Sequence, residues 1–286
     1  MNQPYCLLDR IWLWPDAKNR YQAPSTENLP NASYVKIDSI ATYTAFCDDF
    51  GPMNLASVYK FSAIIESYTS TIDSDIVFVS APDKRAMTNA VFLLGSYTIM
   101  KRGYTPDKAL RLFDGLKPWL TSYRDVSAGE QNLHLLVSDC WEGLYQAKQL
   151  SWVSFEGGAF ELSDYEHCDS PLNADLHEVV PGKFVAMRGP IALKAGRSYQ
   201  DRVNGARDFS PAYVAHILRQ YNVRVVVRLN EPRRRAAGRR TGSGRAWRWQ
   251  TCPLIIVLRR RLNWWASSSP SPRACRGRWR CTARRG

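Results

Sequence analysis

The last 54 residues of this 286-residue chain contain no aspartate, no glutamate and no lysine, yet they hold 16 arginines. All 26 acidic residues lie in residues 1–232, beside 23 lysines and arginines. The overall charge of +13 therefore averages a body near −3 and a tail of +16. Such asymmetry is the composition of a tail that meets nucleic acid or an anionic surface. With no acid to pair its arginines, residues 233–286 are expected to be largely disordered. Long apolar runs are missing as well: no uncharged stretch reaches the roughly 18 residues of a membrane span. The N-terminus, MNQPYCLLDRIWLW, lacks a basic region ahead of its apolar residues and makes a poor signal peptide. None of the seven cysteines forms a CxxC pair. Cys6, Cys47, Cys140 and Cys168 are scattered, as reduced intracellular thiols are. Cys275 and Cys281 stand near no histidine, and a structural zinc site wants four regularly spaced ligands, so no metal is assigned.

What is present is a globular body, long enough for one large domain or for one domain and part of another. Residues 5–14 alternate loosely and suit a strand, as does VKIDSI at 35–40. NLASVYKFSAIIESY (54–68) predicts a helix capped by Asn54, with Leu55, Val58, Tyr59 and Ser62 on one stripe. IVFVSA (76–81) reads as a buried strand. DKRAMTNAVFLLGSYTIMKR (83–102) predicts a helix that starts at Asp83 and ends in Lys101, Arg102 and Gly103, in keeping with the helix dipole. Thr105 and Pro106 open another helix over 105–116, and 131–150 carries a further one with Leu133, Leu136, Val137, Trp141 and Leu144 as its apolar residues. Residues 163–179 are polar and contain a proline, which predicts a linker. Strand VPGKFVAMRGP (180–190), helix PAYVAHILRQY (211–221) behind Ser210, and strand VRVVVRLNEP (223–232) begin a second unit. Strands alternating with helices argue for an α/β sandwich around a central sheet.

Several of these segments together resemble one family, the cell-division-cycle-fourteen type of dual-specificity protein phosphatase. The resemblance is carried by DDFGPMNLASVYKF (48–61), DKRAMTNAVFLLGSYTIM (83–100), YEHC (165–168), VPGKFVAMRGP (180–190) and VRVVVRLNEP (223–232), in order, over residues 5–232. It implies an α/β, tyrosine-phosphatase-like three-layer fold in tandem. A non-catalytic, groove-forming domain would occupy 1–162, a linker 163–179, and the start of the catalytic domain 180–232. It further implies a hydrolase that needs no cofactor or metal. A cysteine thiolate in His-Cys-x-x-Gly-x-x-Arg attacks phosphorus, the arginine clamps the phosphoryl oxygens, and an aspartate protonates the leaving hydroxyl. The implied partners are phosphoproteins with phosphoserine–proline sites and a nearby basic residue. The implied setting is cell-cycle control in nucleus and cytoplasm, at spindle or nucleolus. Of the groove acids that read the basic residue, the resemblance carries one onto Asp175, whereas the other position holds Leu172.

The departure is sharp. None of His134, His167, His177 and His216 opens the HCxxGxxR signature, and His167–Cys168 is followed by Asp-Ser-Pro-Leu-Asn. No catalytic residue can be assigned, and the chain as written is expected to be inactive. Removed from the rest of its sheet, VRVVV would expose apolar edges. The genetic code offers an explanation for the tail. In GRWRCTARRG (277–286), shifting the reading frame by two bases turns the run from Arg278 onward into Val-Ala-Val-His-Cys-Lys-Ala-Gly. That text is the strand and first half of the missing signature, as this family writes it. The favoured expectation is therefore a loss of frame after Pro232. The alternatives are a phosphoprotein-binding pseudophosphatase and a genuine basic tail that binds nucleic acid through phosphate contacts and tryptophan stacking.

Overall fold

A computed structural model describes residues 4–15, 29, 31–45, 48–125, 131, 134–173, 175–194, 196–203, 205–219, 221, 223–228 and 254–259. The chain is α/β and divides into two compact units, 1–160 and 161–286. In the first, the run expected as one strand is a hairpin, β1 (Tyr5–Leu8) and β2 (Ile11–Pro15), because Asp9–Arg10 turns the chain. Next come β3 (Ser33–Lys36), α1 (Leu55–Thr71), β4 (Ile76–Ser80), α2 (Lys84–Arg102), α3 (Pro106–Leu112) and α4 (Val137–Gln149). The sheet order is β1-β2-β4-β3, with β4 parallel to both neighbours. Buried on both sides, β4 carries Ile76, Val77 and Phe78 with no alternation of polar residues.

The first unit is organised by α2. Fourteen of its nineteen residues are buried, which explains why its sequence shows no polar face. Gly95 is the closest approach: a Cβ there would lie 1.9 Å from the ring of Trp141 on α4. The Trp141 indole N–H donates to Phe92 O at 3.1 Å, so the ring is both packed and satisfied. Lys148 Nζ donates to Ile99 O and Met100 O at 2.8 and 2.7 Å, serving carbonyls in the last turn of α2, and Gly103 at φ 68° closes the helix. The expected caps are all in place: Asn54, Asp83 and Thr105 accept from the amides of Ser57, Ala86 and Lys108. Two boundaries differ from expectation. The helix from Pro106 gives way after Leu112 to a 3-10 turn over Asp114–Trp119, and α4 starts at Val137, leaving His134 and an exposed Leu136 ahead of it. Leu133 lies outside the described residues.

The second unit holds α5 (Leu162–Asp169), β5 (Leu176–Val180), β6 (Phe184–Arg188), β7 (Tyr199–Asp201), β8 (Arg207–Phe209), α6 (Pro211–Leu218), β9 (Val223–Arg228) and β10 (Leu254–Arg259). Residues 163–179 are thus no open linker: they supply most of α5 and most of β5, because Tyr165, Cys168 and Leu176 give the polar segment apolar anchors. The main sheet runs β5-β6-β10-β9, every pair antiparallel. Six tail residues depart from the expected disorder, since LIIVLR is a β-branched apolar run that pairs with both β6 and β9. β10 covers one edge of β9, yet Val225 and Val227 remain exposed. The β7–β8 hairpin is braced by Arg202 on Asp208 at 2.7 Å and by Arg207 on Asp201 at 2.5 Å.

Candidate functional site

A strand that runs into a helix N-terminus is a natural cradle for phosphate, because the first helical amides and the dipole point at the ligand. Unit 1 builds that junction where β4 passes through Ala81 and Pro82 into α2. The cradle is already taken. Asp83 Oδ1 accepts from Ala86 N at 2.9 Å, so a fixed carboxylate stands where an anion would bind. No cysteine occurs in the loop. Two cations open α2: Lys84 is exposed at its first position, and Arg85 is held by Asp48 at 3.0 Å and lies over the Phe50 ring at 5.6 Å. The junction therefore offers no thiol nucleophile, and a carboxylate already caps its helix.

The DDFGPMN segment explains its own residues through this junction. Asp48 also meets Arg124 at 3.5 Å, and Phe50 and Arg124 exchange backbone hydrogen bonds at 3.0 and 2.7 Å. The Asn89 amide, buried on α2, donates to Gly51 O at 3.2 Å and accepts from Tyr123 O–H at 3.2 Å. Tyr43 O–H donates to the buried Asp49 carboxylate at 2.6 Å, while a Cβ at Gly51 would sit 3.3 Å from the same hydroxyl. A small residue at 51 is thus a packing demand, and Asn54 then starts α1. These residues border an open cavity of about 340 Å³ whose walls include Asp38, Tyr43, Asp49, Phe50, Met53 and Asn89. Small and aliphatic residues make up much of the wall, its charged groups are three acids and Arg85, and it holds no thiol for covalent catalysis.

The cysteines outside the junction offer no substitute. Burial, with Asp139 beside it, pushes the Cys140 thiol up to about 11, so at neutral pH only about one molecule in ten thousand holds a thiolate there. Cys168 is buried at the C-terminal end of α5, away from helix N-terminal amides, and is followed by Asp-Ser-Pro rather than by the glycine and arginine of a phosphate loop. Cys6 is exposed, and burial with Asp75 and Asp9 raises its thiol too. Cys47, Cys252, Cys275 and Cys281, and the run 277–286, lie outside the described residues. Among the described residues no group of His, Cys, Asp and Glu could hold a metal ion.

Asp175, the one acid that resemblance marks for substrate recognition, stands in unit 2 in the turn between α5 and β5. It adopts φ 51°, uncommon for a residue other than glycine but tolerated by aspartate. Its carboxylate faces His177 Nε2 at 3.5 Å, and Asp169 faces the same nitrogen at 3.4 Å. Leu172 is exposed in the same turn. Sequence reasoning missed three participants: Asp83 as occupant of the cradle, Asn89 as clamp of the Gly51 turn, and His177. The first was legible, since an acid just before an apolar helix is a capping signal. Asn89 depends on contacts 38 and 34 residues away, and His177 on the fold of the α5–β5 turn, which brings two acids to one nitrogen.

Comparison with known proteins gives the family of this unit. Residues 7–147 match the family described as "Dual specificity protein phosphatase, N-terminal half". They belong to that family. Dual specificity protein phosphatase CDC14C of Homo sapiens is 32% identical over 215 residues, covering 74% of this chain and 46% of that protein. CDC14A of Homo sapiens is 33% identical over 223 residues, 75% of this chain and 36% of that one. The Tyrosine-protein phosphatase CDC14 homolog of Schizosaccharomyces pombe is 27% identical over 216 residues, 74% and 39% respectively. A match to 74% of this chain cannot fit within residues 1–160, so the dual-specificity phosphatase likeness reaches into unit 2. The chain spans less than half the length of these relatives. Among the described residues no helix is long and apolar enough to cross a membrane.

Proposed function

We propose that this chain supplies the substrate-recognising, non-catalytic part of a dual-specificity phosphatase, and that as written it binds phosphoproteins without hydrolysing them. One observation carries the absence of hydrolysis: the β4–α2 cradle is capped by its own Asp83 carboxylate and offers no thiol. A covalent phosphoryl transfer needs a thiolate facing phosphorus, and unit 1 presents none at this junction; the binding of phosphoproteins is carried over from the family and placed outside this cradle. Activity, phosphoserine–proline preference, Asp175 as a reader of basic residues, and a setting in nucleus and cytoplasm at cell division are carried over from the family. They belong to this proposal.

The missing chemistry is read in the shifted frame of residues 277–286, whose hidden Val-Ala-Val-His-Cys-Lys-Ala-Gly supplies the cysteine. Sequencing the transcript across codons 225–286 tests this directly, because the hidden lysine requires an AGA or AGG codon for Arg284. Any other arginine codon there refutes the frame reading. Expression of both frames then separates the products. The shifted one should hydrolyse a phosphoserine–proline peptide, and the printed one should bind it without turnover.

A further inference from the structure

Between the end of α5 and the start of β5 a single imidazole stands among acids. His177 Nε2 lies 3.4 Å from Asp169 Oδ1 on α5 and 3.5 Å from Asp175 Oδ1 in the turn. The three side chains are each about one-third exposed, at 35, 31 and 39%, enough shelter for the charges to feel one another and enough access for a proton to exchange. The ring of Tyr165 on α5 lies 6.2 Å from the imidazole. Across the ladder on β6 the register partner is Ala186, which cannot titrate. Glu178, next along β5, is engaged elsewhere, accepting from Gly182 N at 2.7 Å. Among the described residues, the charges acting on the imidazole are those of Asp169 and Asp175, and the ring beside it is that of Tyr165.

We propose that His177 is a proton-operated clasp that fastens α5 and the Asp175 turn to β5. When the imidazole is protonated, its charge sits between two carboxylates and joins three pieces of backbone. When it is neutral, the ring no longer carries a positive charge between the two acids, so the carboxylates repel without compensation. The hydrogen bond to Asp175 raises the His177 pKa above the ordinary histidine value; burial opposes that rise, and the charges of Asp169 and Asp175 add to it. A histidine raised in the fold stabilises fully below its unfolded value, near 6.5, and loses that contribution as pH climbs through its folded value. The clasp is therefore closed below about pH 6.5 and opens as pH rises through the folded value above it. What it holds is the turn in which Asn173 N and Asp175 N both donate to Ser170 O, at 2.8 and 3.2 Å. Asp175 is strained there at φ 51° and gains from an outside anchor.

The test is an NMR titration of the histidine ring protons in the full chain from pH 5 to 9, with Asp169→Asn, Asp175→Asn and the double substitution. The expected wild-type midpoint for His177 lies above 6.5, each single change lowers it, and the double change lowers it furthest, to the ordinary histidine value or below. A second readout follows amide-exchange protection of Asn173 and Asp175, corrected for intrinsic rates. Protection should fall as pH passes the His177 midpoint in the wild type and lose that step in His177→Gln. A wild-type midpoint at or below 6.5 overturns the clasp without recourse to any variant. So does a midpoint that neither substitution moves, or a protection step that survives in His177→Gln.

Discussion

The two units carry the same kinds of element and differ in what fills them. Among the described residues, thirty buried apolar side chains form one cluster in the first unit, gathered around α2, and nine form the cluster in the second. The first draws its strands, caps and core from residues 1–160 alone. The second completes its main sheet with LIIVLR from the arginine tail and leaves Val225 and Val227 exposed. A core of the first kind specifies one structure through many mutually supporting contacts. Among the described residues the second core is smaller, and its sheet includes a strand from the acid-free stretch. The phosphatase-like junction sits in the well-built unit and is chemically closed there. The residues that would open chemistry are absent from the printed sequence of the other.

Truncations at the heart of unit 1 should have the largest effect. Trp141→Ala removes a fully buried ring and its hydrogen bond to Phe92 and should cost about 3–5 kcal/mol in chemical denaturation. A loss below about 1 kcal/mol would mean that α2 and α4 do not pack as described. Gly95→Ala tests the same contact from the other side. The indole must move, and overpacking should cost roughly 1–3 kcal/mol. Asp83→Ala frees the α2 amides at a cost of about 1 kcal/mol, and it should confer no hydrolysis, because no thiol is there to act. Asp48→Asn, which loosens Arg85 and Arg124 near the surface, should change stability by less than about 1 kcal/mol. Smallest of all in stability, Val225→Lys with Val227→Lys should fall within about 0.5 kcal/mol of the parent. Light scattering should nonetheless show less self-association, as the exposed apolar strand acquires charge.

The sequence was most readable where local rules agree with the fold. Asn54, Asp83, Thr105 and Ser210 announced four helix starts, Gly103 announced a helix end, and the apolar run at 76–80 announced the central strand. It misled where tertiary contacts decide. The hairpin at Asp9–Arg10 is marked by no glycine, and Arg10 earns its place by donating to Ile72 O and Thr69 O at the end of α1. The polar stretch at 163–179 looked like a linker because α5 buries little beyond Cys168. The tail looked largely disordered, and charge composition hides its six-residue strand. For the site, the absence of a nucleophile was legible at once, but the closed cradle and the His177 clasp needed distances.

The measurement closest to the central claim is the release of phosphate from p-nitrophenyl phosphate and from a phosphoserine–proline peptide by the purified full chain, before and after alkylation of its thiols. The account predicts no release above buffer in either state, with Cys140 alkylated slowly because its thiol titrates near 11. Turnover that disappears on alkylation would contradict it, since a cysteine of the printed chain would then be attacking phosphorus.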